Sequence, residues 1–199
     1  MKNIRIHLVA LLLLAVGFAS CKRDYGVQLA PLQDSVANIP ITVTNQVYFE
    51  RFPVVTVKVD TTTQGPFNSQ GTFSIALSIP ADKGKIKEIT KVAMGNSGVL
   101  YLQNTSAPNY PMAPIAGNGS NTITFSSDLP TVRAYTQQLA ASSVKGQSYI
   151  FTGQTKRLNQ TLTPNPTPQT PNQLRYFFLI TLEDGTQLIS TEVDVRLIY

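Results

Sequence analysis

Between Gly71 and Pro80 the chain reads GTFSIALSIP. Phe73, Ile75, Leu77 and Ile79 alternate with Ser74, Ala76 and Ser78. A period of two places the apolar set on one face of an extended chain and the small set on the other, which no helix can do. This is the pattern of an antiparallel strand with one face in a core and the other in water. The signal recurs. ITVTNQVYFE at 41–50 is rich in β-branched and aromatic residues, and PVVTVKVD at 53–60 alternates Val55, Val57 and Val59 against Thr56 and Lys58. IKEITKVAM at 86–94 and GVLYLQ at 98–103 predict two further strands around Gly95-Asn96-Ser97-Gly98. NTITFSS at 121–127 and QSYIFTGQTKRL at 147–158 predict two more.

The last element is the plainest. LRYFFLITLE at 174–183 is apolar on both faces, as a central strand is. Asp184-Gly185 follows, and Asp-Gly predicts a type I′ hairpin, whose central residues need positive φ. On the return strand Ile189, Thr191, Val193, Val195, Leu197 and Tyr199 share one face, with Ser190, Glu192, Asp194 and Arg196 on the other. One helix interrupts the strands. Ser127 or Asp128 can cap it, Pro130 suits its first turn, and Leu129, Val132, Tyr135 or Thr136, and Leu139 make its packing stripe.

About eight strands and one short helix predict an all-β fold, a two-layer antiparallel β-sandwich of immunoglobulin-like kind over residues 40–199. No repeat of solenoid or propeller period interrupts that reading. The chain is 42% hydrophobic and only 14% charged, enough apolar matter for a core. Its net charge is +5, of which Lys2 and Arg5 lie in the first 20 residues; the remainder is +3. Such a mild excess is not the basic stripe of a nucleic-acid binder.

The N-terminus has a different grammar. Met1 to His7 is basic, and Leu8 to Phe18 is an apolar run of eleven residues. That is short of the roughly 20 helical residues that span a bilayer. Ala19 and Ser20 are small, as a processing site requires. The only cysteine, Cys21, comes next. Phe18-Ala19-Ser20-Cys21 resembles a bacterial lipobox, in the relaxed form of Bacteroidota lipoproteins, with Phe18 where Leu is commonest. The resemblance implies a signal peptide over 1–20, cleavage before Cys21 and acylation of its thiol. Two or more acyl chains hold stably where one holds weakly, at about 0.8 kcal/mol per methylene. It also implies an outer-membrane lipoprotein, because Lys22 is not the Asp associated with inner-membrane retention in enteric bacteria. Lys22-Arg23-Asp24 only partly matches the acid-rich export signals of the same group, so either membrane face fits. Residues 21–39 then form a lipid-anchored tether, which can reach about 60 Å when extended and can contribute one edge strand. The whole resembles small immunoglobulin-like lipoproteins of the Bacteroidota; that likeness carries over no functional residue within the domain.

The inventory restricts the chemistry. The one histidine, His7, leaves with the signal, and Cys21 is taken by lipid. No disulfide, thiol nucleophile, Ser-His-Asp triad or His/Cys zinc site can be assembled, and no cofactor is called for. Carboxylates remain. Glu192 and Asp194 alternate on one strand face, with Arg175 and Arg196 as neutralising neighbours, and Glu183-Asp184 sits at the turn. Glycoside hydrolysis needs two such groups, but a solvated strand face is the plainer reading. DTTTQG at 60–65 has one carboxylate, too few for a calcium loop.

Lys83, Lys85, Lys87 and Lys91 make one row if 85–91 is a regular strand: an anionic contact or, more plainly, a solvated edge. The chain has no Trp to stack a sugar, leaving Tyr101, Tyr110 and Tyr149. Two Pro-rich loops, 107–121 and 159–173, are expected to project from the sandwich as a contact surface. Asp34-Ser35-Val36 and Asp60-Thr61-Thr62 resemble Bacteroidota O-glycosylation sites, which marks Ser35 and Thr61 as candidate acceptors.

The function expected from all this is non-catalytic: a lipid-anchored interaction or structural module of the cell envelope. Its partners are the membrane, through the lipid on Cys21, and a protein or polysaccharide; nucleic acid is not among them. A glycan-binding accessory lipoprotein is the alternative, and a carboxylate-dependent hydrolase stands behind both.

Overall fold

The computed structural model describes residues 39–62, 69–105, 107–111, 113–141, 162–167 and 169–199. The expected signal segment, the expected tether apart from Ile39, and the strand expected at 147–158 lie outside them. Two sheets make the fold. The smaller holds β1 (Thr42–Val43), β4 (Thr72–Ser78) and β7 (Thr122–Asp128), in the order β1-β4-β7. The larger holds β2 (Tyr48–Phe49), β3 (Pro53–Lys58), β10 (Val193–Ile198), β8 (Gln173–Leu182), β5 (Ile86–Met94) and β6 (Ile115–Ala116), in that order, and β9 (Gln187–Ile189) also pairs with β8. All pairings are antiparallel except β3 with β10. Among the described residues two α-helices join them, α1 (Gly98–Gln103) and α2 (Leu129–Ala141).

The period-two reading holds best in β4 and β7. Phe73↔Ser127, Ile75↔Phe125 and Leu77↔Ile123 are cross-strand partners, all buried, while Ser74, Thr124 and Ser126 are exposed. The inward residues meet the larger sheet in an aromatic core. Phe73 and Phe125 lie 5.6 and 5.5 Å, ring to ring, from Tyr176 of β8, and Phe125 lies 5.3 Å from Phe178. Tyr110 and Tyr135 complete the cluster, with 5.0 Å between their rings. β8 is central as expected, flanked by β5 on one side and by β9 and β10 on the other, and only Arg175 and Leu179 in it are half-buried.

α2 begins where the sequence places it. Asp128 Oδ1 accepts a hydrogen bond from the Thr131 N–H at 2.7 Å, so Asp128 is the cap. Leu129, Val132, Tyr135 and Thr136 are buried along one stripe.

Four expectations are corrected. Residues 41–50 are not one strand: β1 belongs to the smaller sheet and β2 to the larger. Asn45 makes the crossing possible. Its amide donates to Ser74 O and accepts from the Ala76 N–H, both at 2.9 Å, so a side chain continues β4's pairing while the backbone turns away.

Residues 98–103 form α1, not a strand. Tyr101 and Leu102, adjacent in sequence, are both buried while Val99 and Leu100 are exposed, which an alternating strand does not allow. Gly98 lets this helix touch the sheet: a Cβ there would stand 2.1 Å from Phe177 Cδ2.

The turn at Asp184-Gly185 is not type I′. Gly185 N–H donates to Leu182 O, and Leu182 N–H to Thr186 O, so residues 183–185 form a three-residue loop. Gly185 alone supplies the left-handed step, at φ 88°.

The return strand is two pieces. Ser190 pairs with Phe178, but Val193 pairs with Tyr176, so one extra residue bulges between them. The bulge reverses the alternation: Leu188 and Ser190 are buried in the first piece, Val193, Val195 and Leu197 in the second, and Ile189 and Tyr199 are exposed.

Candidate functional site

The larger sheet has an outer face, away from the aromatic core, and its chemistry is concentrated there. Partners across a ladder share a face. Val193↔Tyr176 and Val195↔Leu174 face the core, so Asp194↔Arg175 and Arg196↔Gln173 face outward. The parallel register adds Val54 beside Asp194 and Thr56 beside Arg196, and Tyr48 lies opposite Val54 on the edge strand β2. Glu50, just past β2, and Glu192, just before β10, complete the group.

Each arginine is engaged. Arg175 Nη1 donates to Asn96 Oδ1 at 2.6 Å, and its Nε lies 3.1 Å from Glu192 Oε1, close enough to pair but off the hydrogen-bonding direction. Arg196 pairs with Glu50 and stacks its guanidinium 5.1 Å over the Tyr48 ring. With its amide oxygen turned inward, Gln173 accepts from Arg196 Nη2 at 2.8 Å and Nε at 3.2 Å.

Asp194 is the exception. It is 6% exposed, and its Oδ1 is buried without a hydrogen-bond partner. Burial, and then Glu192, push its carboxyl up to about 7; Arg175 pulls it down, Glu50 pushes up again, and Arg196 pulls down. Both arginines act on Asp194, yet each carries its closest contacts elsewhere. A carboxyl so placed holds its proton near neutrality.

The sequence places Glu192 and Asp194 beside Arg175 and Arg196, and the structure brings all four together. It does not give them the open geometry of a glycosidase pair, which must flank a substrate. Asp194 is covered by its neighbours. Glu50 and Tyr48 were not legible as members. They lie more than 140 residues from Arg196, and only the strand switch at Asn45 delivers them.

Other candidates are rearranged. The lysine row does not form, because β5 is irregular between Ile86 and Glu88 and between Ile89 and Lys91. Lys91 Nζ donates to Asn104 O at 2.7 Å, and burial pulls its pKa down. Lys83 pairs loosely with Asp82. Tyr101 and Tyr110 are core residues with no face for a sugar, and Tyr149 lies outside the described residues. The loop 107–121 does not project: Ala107 and Tyr110 are buried, and Asn109 Oδ1 accepts from the Val92 N–H at 3.1 Å, filling a backbone's place beside β5. The described part of 159–173 is anchored at its ends, while Pro166, Thr167, Gln169 and Thr170 between them are exposed. Leu162 and Pro164 are buried, and Asn172 O accepts from the Leu197 N–H. Thr61 is half-buried beside an Asx-turn in which Asp60 Oδ1 accepts from the N–H and hydroxyl of Thr62. That use of Asp60 further weakens the calcium reading. Cys21 and Ser35 lie outside the described residues. Among the described residues no helix is long and apolar enough to cross a membrane.

The smaller sheet carries a trough of about 470 Å³ lined by Thr72, Phe73, Ser74, Ser126, Ser127 and Asp128. Four of these six residues carry hydroxyls, although most of the lining surface is apolar, and its one carboxylate already caps α2.

Comparison with protein families, curated proteins and solved structures returns no match.

Proposed function

We propose that the chain is a lipid-anchored, immunoglobulin-like β-sandwich of a Gram-negative outer membrane, acting as a non-catalytic interaction module for a protein partner. The lipobox-like residues through Cys21 support the anchor. Two facing sheets, with β3 and β10 running parallel beside each other, support the immunoglobulin-like reading. The observation that carries the interaction reading is the edge strand. Val47 and the β2 residues Tyr48 and Phe49 are 54%, 48% and 69% exposed, where β2 ends the larger sheet among the described residues. Proteins ordinarily protect such edges with charge, proline or a covering segment, and a contiguous apolar edge marks a contact. The arginines and carboxylates beside it would form the polar rim of that contact.

Two experiments test this. Cys21→Ala should move the protein from the membrane to the soluble fraction; unchanged membrane association removes the anchor. A photo-crosslinking residue at Phe49 should capture a discrete protein in intact cells, and the same residue at Thr124 on the smaller sheet should not. Equal labelling at both positions, or none at either, removes the interaction reading.

A second reading, a glycan-binding accessory lipoprotein, is favoured by the trough on β4 and β7, where Thr72, Ser74, Ser126 and Ser127 bring hydroxyls beside the Phe73 ring. Titration of a neutral polysaccharide that shifts the amide signals of Ser74 and Ser126 would support it.

A further inference from the structure

We infer that Asp194 and Arg175 are a latent ion pair across β10 and β8: ionisation of the carboxyl closes it, turns Arg175 off Asn96, and so ties a proton on the sheet to the loop that enters α1. The inference is independent of what β2 contacts.

Asp194 and Arg175 are directly opposed in the ladder and share the outer face. Side chains so placed start about 5 Å apart. Each buries a polar atom that has no hydrogen-bond partner, Oδ1 of Asp194 and Nε of Arg175. One accepts and the other donates, so a bond between them satisfies both. That the bond is open identifies the state. A carboxylate buried with its oxygen unmet is strongly destabilising, whereas a neutral carboxyl needs no cation. The arrangement is therefore that of the protonated side chain.

The charged groups facing Asp194 are Glu192 and Arg196 from its own segment, Arg175 from β8 and Glu50 from beyond β2. β3 presents Val54 beside it, without charge. Of the two arginines, Arg196 is committed to Glu50, to the Tyr48 ring and, through two N–H groups, to the buried Gln173. Arg175 is held more lightly. Its Nη1 donates to Asn96 Oδ1, and Asn96 is exposed, so water takes the place of the arginine there. Its Nε lies 3.1 Å from Glu192 Oε1 without donating to it, so no bond is given up on that side.

The guanidinium is one rigid plane. Re-aiming Nε at Asp194 therefore swings Nη1 away from Asn96. Asn96 lies between Gly95, whose N–H donates to Arg175 O at 3.1 Å, and Ser97, which gives α1 no side-chain cap. The bond from Arg175 is thus a side-chain hold on the entry to α1, beside the packing of Gly98 on Phe177. Burial, and then Glu192, push the Asp194 carboxyl up to about 7, so the exchange falls in the neutral range: Arg175 on Asn96 below it, on Asp194 above.

The test is nuclear magnetic resonance of the arginine Nε–H groups and the Asn96 side-chain amide in the full-length protein, between about pH 5 and about pH 8.5. The Arg175 Nε–H proton should move to lower field as pH rises, and the Asn96 amide should move with the same midpoint. The Arg196 Nε–H should not follow. Asp194→Asn should hold both signals at their acid positions. Asn96→Ala removes the competitor for Arg175 and favours the ionised carboxyl, so it should lower the Arg175 midpoint by roughly 0.5–1 in pH. An Arg175 signal that does not titrate, or that titrates equally in Asp194→Asn, overturns the pair, as does movement of Arg196 in its place. An unchanged midpoint in Asn96→Ala overturns the link to the loop. Should Asp194→Asn fail to fold, the two arginines in the wild type and the exposed Asn96→Ala substitution still decide.

Discussion

Tyr110 and Ser127 share a hydrogen bond of 2.7 Å between their hydroxyls inside the sandwich, and Tyr176 donates to Tyr110 at 3.3 Å. Three buried hydroxyls thus satisfy one another where the loop after α1 meets both sheets. Tyr110→Phe should destabilise the protein by about 1–2 kcal/mol, because the hydroxyls of Ser127 and Tyr176 are left without it. Ser127→Ala should cost less than the same range, since Tyr110 keeps Tyr176. The double variant should cost less than the two together, which denaturant unfolding of all three will measure. Burial also pushes the Tyr110 phenol up to about 12. Its contribution is present below about pH 10 and lost as pH rises through about 12, so alkaline unfolding should enter in that window.

Gly98 permits the close packing of α1 on Phe177. Adding a Cβ would place it 2.1 Å from one ring carbon and 2.7 Å from another. The buried ring can move only by displacing its surroundings, so Gly98→Ala should cost about 1–3 kcal/mol. The better helix propensity of Ala, about 1 kcal/mol, does not outweigh the clash. Thermal unfolding will show the sign: a raised midpoint would mean that α1 lifts off the sheet freely.

Asp194 makes stability depend on pH in the unusual direction for a carboxylate. Its folded pKa is about 7 against 3.8 as an ordinary side chain. Between those values the folded state binds more protons than the unfolded one, so stability falls as pH rises. The contribution is whole below about pH 4 and gone above about pH 7. Asp194→Asn should therefore match the wild type near pH 4 and exceed it at pH 8, by on the order of 2–4 kcal/mol. Urea midpoints at the two pH values will test this; equal differences at both would place the effect outside ionisation.

Asp128 caps α2 through the Thr131 N–H. Asp128→Ala should cost about 0.5–2 kcal/mol and Asp128→Ser considerably less, because a serine hydroxyl can accept the same bond. Denaturant unfolding of the pair separates loss of the cap from loss of the charge.

Elements whose burial is decided by their own side chains were legible in the chain alone. β4 and β7 could be read from alternation, β8 from its two apolar faces, and the start of α2 from Asp128 and Pro130. In each the hydrophobic pattern and the local backbone preference agree, and neighbours have nothing to overrule. The juxtaposition of Glu192 and Asp194 with Arg175 and Arg196 was legible for the same reason, since two neighbouring strands with fixed alternation carry them.

Whatever depends on a partner distant in sequence emerged only in the folded chain. The segment 41–50 has strand composition throughout, yet Asn45 lets it cross between sheets because Ser74 and Ala76 present backbone groups there. The run at 98–103 becomes a helix because Phe177 offers a surface that Gly98 can approach. The bulge before Val193 reverses a face, and the irregularities in β5 break the lysine row, since a single inserted residue undoes every inference drawn from parity. Burial of Asp194 belongs to the same class: its own sequence marks a surface position, and the neighbours beside it, Val54 of β3 and Arg175 of β8, come from distant parts of the chain.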